Sequence, residues 1–156
     1  MRLAKLAYGL ALVAAVCVGQ GAVSAPKKRV LLAWEKTRFK QALIEEMAKQ
    51  LEAQGYAVTR AMHSKKGLAQ KAADYDAVFI TNSGVYSKVR PWITKWLEAN
   101  KAHAARILLH TTQTSDWKVE AKVDAVTSAS KKADVKRMAA DYVARLVKKM
   151  QAGAGK

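Results

Sequence analysis

Cysteine, acidic side chains and proline are the scarce residues of this chain. The one cysteine, Cys17, lies in an N-terminal apolar stretch. Downstream of it no disulfide can form, no thiol can act as a nucleophile, and no cysteine-based metal site can be built. The three histidines, His63, His103 and His110, are scattered without metal-ligand spacing. Only 12 acidic residues stand against 28 basic ones. Asp116 and Glu120 share a loop, but nothing separates them into an acid and a base. Ser83 is not in a G-x-S-x-G turn. These absences argue against a hydrolase. The two prolines, Pro26 and Pro91, mark no Pro-rich linker, and the sequence has no internal repeat.

The longest apolar run is Leu6 to Val18, interrupted by Tyr8 and Gly9. Arg2 and Lys5 precede it, and Val23-Ser24-Ala25 supplies small residues before Pro26. Residues 1–25 therefore read as a cleavable secretory signal peptide, too short for a comfortable membrane span. Val16 is not the small residue that a lipoprotein signal places before its cysteine, so cleavage after Ala25 is expected over lipidation of Cys17. The mature chain would be 131 residues with 26 basic and 12 acidic side chains, a net charge of +14. That length suits one domain over 26–150 with a flexible tail at 151–156. Export without cysteine fits a bacterial periplasm or secretion. The charge favours an acidic protein, an anionic ligand or an anionic membrane surface, and export sets nucleic acid aside.

Short apolar runs alternate with helical patterns along the rest of the chain. Val30 to Trp34 reads as a first buried strand. Glu35-Lys36-Thr37 is a turn, with Thr37 as N-cap of a helix reaching about Gln54 and Gly55 as its stop. Phe39, Leu43, Met47 and Leu51, with Ile44, form the apolar face of that helix. Tyr56 to Thr59 is a shorter, more polar second strand. His63 to Gly67 is a loop, and Leu68–Ala73 has room for one or two helical turns. Asp76–Thr81 is the third strand, followed by the turn formers Asn82, Ser83 and Gly84. Val89, Trp92, Ile93, Trp96 and Leu97 then give one helix face, with Pro91 near its start and Asn100 at its end. Arg106–His110 is the fourth strand, Thr111 to Lys122 a polar loop, and Val123–Thr127 the fifth strand. A last helix spans about Lys132 to Met150. This order implies a three-layer α/β fold with a five-stranded parallel sheet. The more polar strands two and five belong at its edges, giving the order 2-1-3-4-5.

On these features the mature chain resembles the flavodoxin-like family. Trp34–Ala42 stands where that family has its phosphate loop. Asn82-Ser83-Gly84-Val85-Tyr86-Ser87-Lys88 resembles the loop after the third strand, often S-P-V-Y-x-G-K. The loop after the fourth strand carries Trp117. The resemblance implies an FMN-binding electron carrier or redox accessory protein. Thr37, Arg38 and Lys40 would hold the phosphate, Asn82, Ser83, Gly84 and Tyr86 would line the flavin from one loop, and Trp117 from another. Two departures stand against this. The family's Gly-rich T-x-T-G-x-T loop is replaced by Glu35-Lys36-Thr37-Arg38-Phe39-Lys40, and flavodoxins are typically acidic.

Asp124 to Ser130 resembles the flavin-transferase acceptor motif D-x-x-[ST]-G-A-[TS], which would make Ser130 a covalent flavin acceptor. Ser128 replaces the glycine of that motif, and a strand end followed by a capping serine explains the same residues. The strand-end loops also carry Lys36, Arg38, Lys40, Lys88, Arg90, Lys118, Lys131 and Lys132. The alternative to the flavoprotein is therefore a flavin-free, non-enzymatic binding module that meets an anionic ligand or acidic partner at this basic edge.

Overall fold

The computed structural model describes residues 27–84, 88–113, 119–129 and 131–153. The expected signal peptide with Cys17, and Tyr86, Trp117, Lys118 and Ser130, lie outside the described residues. Five strands form one parallel sheet: β1 (Arg29–Trp34), β2 (Ala57–Met62), β3 (Ala77–Ser83), β4 (Ile107–Thr112) and β5 (Asp124–Ser128). Their order is β2-β1-β3-β4-β5, as expected from the sequence. The helices are α1 (Arg38–Ala53), α2 (Pro91–Ala99) and α3 (Val135–Ala152).

Alternation along the central strands divides the core in two. Val30, Leu32, Ala77, Phe79 and Leu108 face α1 and α3. Leu31, Ala33, Val78, Ile80, Ile107 and Leu109 face the other way, toward Ile93 and Trp96 of α2 and toward Ala72 and Tyr75. Both faces of β1, β3 and β4 are covered, which is why these strands read as unbroken apolar runs. The α1 stripe of Phe39, Leu43, Ile44, Met47 and Leu51 is buried as its spacing predicts. Gly55 follows that helix with φ +86°, a conformation that disfavours side chains bearing a Cβ.

Several boundaries differ from the sequence reading. β2 runs on to Met62 because it stays in register with β1 as far as Trp34↔Met62. β3 and β4 continue together through Asn82↔Thr111 and Ser83↔Thr112, so Asn82 and Ser83 belong to a strand rather than a loop. The expected turns at Leu68–Ala73 reduce to a single 3-10 turn at Ala72–Asp74. Lys132–Asp134 form another, and α3 runs past Met150 into the expected tail.

Candidate functional site

The strand order reverses between β1 and β3, and the crevice beyond their C-terminal ends is where open α/β sheets place ligands. At that end of the sheet Glu35, Lys40, Ser83 and Arg90 form a polar cluster. After Trp34 only Glu35, Lys36 and Thr37 separate β1 from α1. Thr37 Oγ1 accepts from the Lys40 N–H at 3.2 Å and caps the helix. Lys40 then points inward, 1% exposed, in the same stripe as Ile44, Met47 and Leu51. Its Nζ donates to the Glu35 carboxylate and to Ser83 Oγ at 2.7 Å. Ser83 in turn donates to the same Glu35 oxygen at 2.8 Å. Arg90 Nε lies 3.8 Å from the other Glu35 oxygen, within ion-pair range but too far for a hydrogen bond.

The surrounding bonds hold this cluster from four segments. The Glu35 N–H donates to Thr81 Oγ1 at 3.1 Å. Asn82 Nδ2 donates to Thr111 Oγ1 at 3.1 Å, and its Oδ1 accepts from the Arg90 N–H at 3.0 Å. The Arg90 guanidinium stacks on Trp92 at 5.6 Å. Trp92 Nε1 donates to His63 Nδ1 at 3.2 Å, which fixes the His63 proton on Nε2, where it donates to Thr81 O at 3.0 Å. Gly84 donates its N–H to Thr112 O at 3.0 Å. A Cβ there would stand 3.1 Å from both Gln113 Oε1 and Thr111 Cγ2, a tight contact that these side chains would have to yield to.

Burial alone would raise the Glu35 pKa, but the hydrogen bond and charge of Lys40, with the Ser83 bond, outweigh it and hold the carboxyl below its usual range. Burial pulls Lys40 below the ordinary lysine value, an effect Glu35 only partly offsets. Burial also lowers the pKa of His63, so the ring is neutral near pH 7. The cluster is thus a charged Glu35–Lys40 pair with a second cation, Arg90, beside it.

A second buried polar group lies further along the sheet. His110 is fully buried between Phe79 and Tyr142, with ring centroids at 5.8 and 5.1 Å. Its Nε2 is 2.7 Å from Ser128 Oγ, and its Nδ1 has no partner among the described residues. Burial pushes its pKa down to about 3, with the Lys40 charge adding to the effect. A neutral imidazole is therefore built into the core. No group of three or more metal-ligating side chains occurs among the described residues.

The expected site residues are redistributed by this arrangement. Thr37 caps a helix and Arg38 is exposed. Lys40 is turned away from solvent and held by Glu35, so it does not join Thr37 and Arg38 around a phosphate. Asn82 is fully buried and bonded on both sides of its amide, which ties its side chain to Thr111 and Arg90. Ser83 belongs to the ion-pair cluster. Gly84 alone of that loop set has only backbone work. Among the described residues Lys40 is engaged by the Glu35 carboxylate and is not free to meet a flavin phosphate. Glu35 and His63 are the members that sequence reasoning missed. Lys40 itself was the available signal, a lysine at i−4 and i−7 from Ile44 and Met47 on a buried stripe.

Of the basic strand-end residues, Lys36, Arg38, Lys88, Lys131 and Lys132 are exposed. Another cluster sits at the opposite edge of the sheet, in a cleft of about 1100 Å³ lined by Arg106, Arg145, Lys148 and Lys149. One carboxylate, Asp124, answers part of its charge. Arg145 and Lys149 pair with Asp124 at 3.7 and 3.2 Å, and Arg106 donates to Tyr75 O at 3.1 Å.

No family model matches the chain, and no curated protein matches it by sequence. Solved structures do match. An archaeal flavodoxin aligns with a TM-score of 0.53 and 12% identity, covering 79% of this chain and 99% of its own. Oxidised Flavodoxin 2 from Bacillus cereus aligns at 0.51 and 8% identity, over 78% of this chain and 99% of its own. A short-chain flavodoxin associated with a bacterial microcompartment aligns at 0.56 and 9% identity, over 79% and 99%. The chain has the flavodoxin-like fold, and at these identities the likeness extends to the fold alone.

Proposed function

We propose that this flavodoxin-like chain is an exported, flavin-free and non-enzymatic binding module. It meets an anionic ligand or acidic partner through the basic residues at the C-terminal edge of its sheet. One observation carries the reading: the Glu35 carboxylate is paired with Lys40 and Ser83 at the strand ends between β1 and β3. A chain that supplies its own anion there has no place for a flavin phosphate. The exposed Lys36, Arg38, Lys88, Lys131 and Lys132 keep that edge positive and open to an acidic surface. The secretory pattern of residues 1–25 supports a periplasmic or extracellular setting.

The second reading is an FMN-binding electron carrier, favoured by the sequence Asn82-Ser83-Gly84-Val85-Tyr86-Ser87-Lys88 and by Trp117. An absorbance spectrum of the mature protein, purified after export and then titrated with FMN, separates the two. The expected result is a colourless protein with no saturable binding at micromolar FMN. A yellow protein, or saturable binding abolished by Tyr86→Ala or Trp117→Ala, would overturn the flavin-free reading. Colour that survives denaturation and disappears in Ser130→Ala would establish a covalent flavin. For the binding surface, the affinity for polyglutamate should fall with rising salt. It should also fall on reversing Lys36, Arg38 and Lys88 to Glu, and stay unchanged on reversing Lys95.

A further inference from the structure

Positive charge also gathers at the other end of the strands, in the cleft of about 1100 Å³. Arg106 and Asp124 stand at the N-terminal ends of β4 and β5, away from the Glu35 cluster. One wall of the cleft comes from Lys101–Arg106, the other from the last turns of α3. Arg145, Lys148 and Lys149 are spaced i, i+3 and i+4, so they share one face of that helix. With Arg106 they set four cations against one carboxylate, Asp124. Cations so spaced repel one another along a helix, and only part of the clustering has a structural reason. Lys149 has one. Its side chain is 16% exposed, pairs with Asp124, and donates to Ala105 O at 3.4 Å near the negative end of the helix dipole. Arg145 is 52% exposed, and its 3.7 Å pair with Asp124 is too long for a hydrogen bond. Lys148 is exposed and makes no ion pair among the described residues. Arg106 uses one of its five guanidinium donors on Tyr75 O. Ala105, Ala152 and Gly153 complete the lining and put no long side chain into the space.

We propose that this cleft binds a compact polyanion, a small molecule that carries several negative charges on separate carboxylate or phosphate groups. The excess of cations sets its charge, and their placement on both walls calls for an oxyanion group toward each. Arg106 and Arg145 offer the planar fork that such groups take in bidentate fashion. A concave site of this volume suits a small ligand better than the flat surface of a membrane. Asp124 repels the ligand and limits its affinity, so the site is tuned for exchange rather than for permanent occupancy. The site is separate from the strand-edge surface of Lys36, Arg38 and Lys88, and it stands whether or not the chain binds flavin.

Isothermal titration of the mature protein with tripolyphosphate and with citrate, at pH 7 and low ionic strength, tests this. The wild type should bind at least one of them saturably, and more weakly as salt rises. Arg145→Gln/Lys148→Gln should raise that dissociation constant at least about tenfold. Lys148→Gln alone breaks no ion pair, so it folds as the wild type does, and it should weaken binding about threefold. Asp124→Asn should tighten binding about threefold. Lys65→Gln/Lys66→Gln, the same change of charge on an exposed loop after β2, should leave it unchanged within about twofold. Loss in the cleft variants with tripolyphosphate alone assigns the ligand to oligophosphates, and loss with citrate alone assigns it to polycarboxylates; either supports the site. No saturable binding of either anion by the wild type overturns the proposal. So does binding that the cleft variants leave intact, or that the Lys65/Lys66 variant weakens equally, since net charge rather than the cleft would then hold the anion. Polyglutamate bound through Arg145 and Lys148 by a protein that takes neither small anion also overturns it, in favour of an acidic polypeptide.

Discussion

Acid should destabilise this protein through His110, and the size of the effect follows from where the ring sits. In the folded chain the imidazole is fully buried, with a pKa of about 3. In the unfolded chain it titrates near 6.5. Between those values the unfolded state holds a proton that the folded state refuses, so stability falls as pH falls. From pH 7 to pH 4 the single site accounts for about 3 kcal/mol, taking 1.36 kcal/mol per pKa unit. The perturbation is His110→Gln, which keeps a donor for Ser128 and cannot titrate. Urea unfolding of both proteins at pH 7 and pH 4 gives the difference of differences. His63, Glu35 and the other titrating groups are common to both proteins and cancel. The wild type should lose about 3 kcal/mol more than the variant over this range. Equal losses in the two proteins would refute the buried neutral imidazole.

Four further outcomes concern the crevice and the start of α1. Lys40→Met alone leaves the Glu35 carboxylate without its lysine partner and should cost about 3–5 kcal/mol in urea unfolding, whereas Glu35→Gln/Lys40→Met should lie close to the wild type. The paired Glu35 titrates below the usual carboxylate range, so its contribution is present above pH 4.5 and is lost as pH falls through the lowered value; the double variant should lack that acid-side slope. Asn82→Ala removes the acceptor of the Arg90 N–H and the donor to Thr111, which should cost about 1–3 kcal/mol by the same measurement. Thr37→Ala removes the cap of α1 and should cost about 1 kcal/mol.

The sheet was legible in the sequence because burial on both faces writes continuous apolar runs at Val30–Ala33, Val78–Ile80 and Ile107–Leu109. The edge strands were also legible, as Thr59 in β2 shows, since half-exposed positions tolerate polar residues. The strand ends were not. Asn82, Ser83, Thr111 and Thr112 are turn-like in composition, yet they extend β3 and β4 because their side chains find partners across strands and loops. Local propensity carries no information about such distant partners. The same holds for Glu35, which bonds a serine 48 positions away. Lys40 was different. The sequence reading gave it to a phosphate at the strand edge, although its spacing from Ile44 and Met47 also fits the buried stripe, and its partner needed the folded chain.

The last helix has a consequence for the timing of folding. The core layer over β1 and α1 is completed by Met138, Ala139, Tyr142, Val143, Leu146 and Met150 of α3. Lys28, at the start of the described chain, reaches the Met150 carbonyl at 2.8 Å. A chain made from its N-terminus therefore covers this face with α1 early and leaves the remainder of it uncovered until α3 has been added. The core is complete only once α3 is present, and a fragment ending before Val135 would hold all five strands with apolar side chains such as Phe79 and Leu108 left partly uncovered.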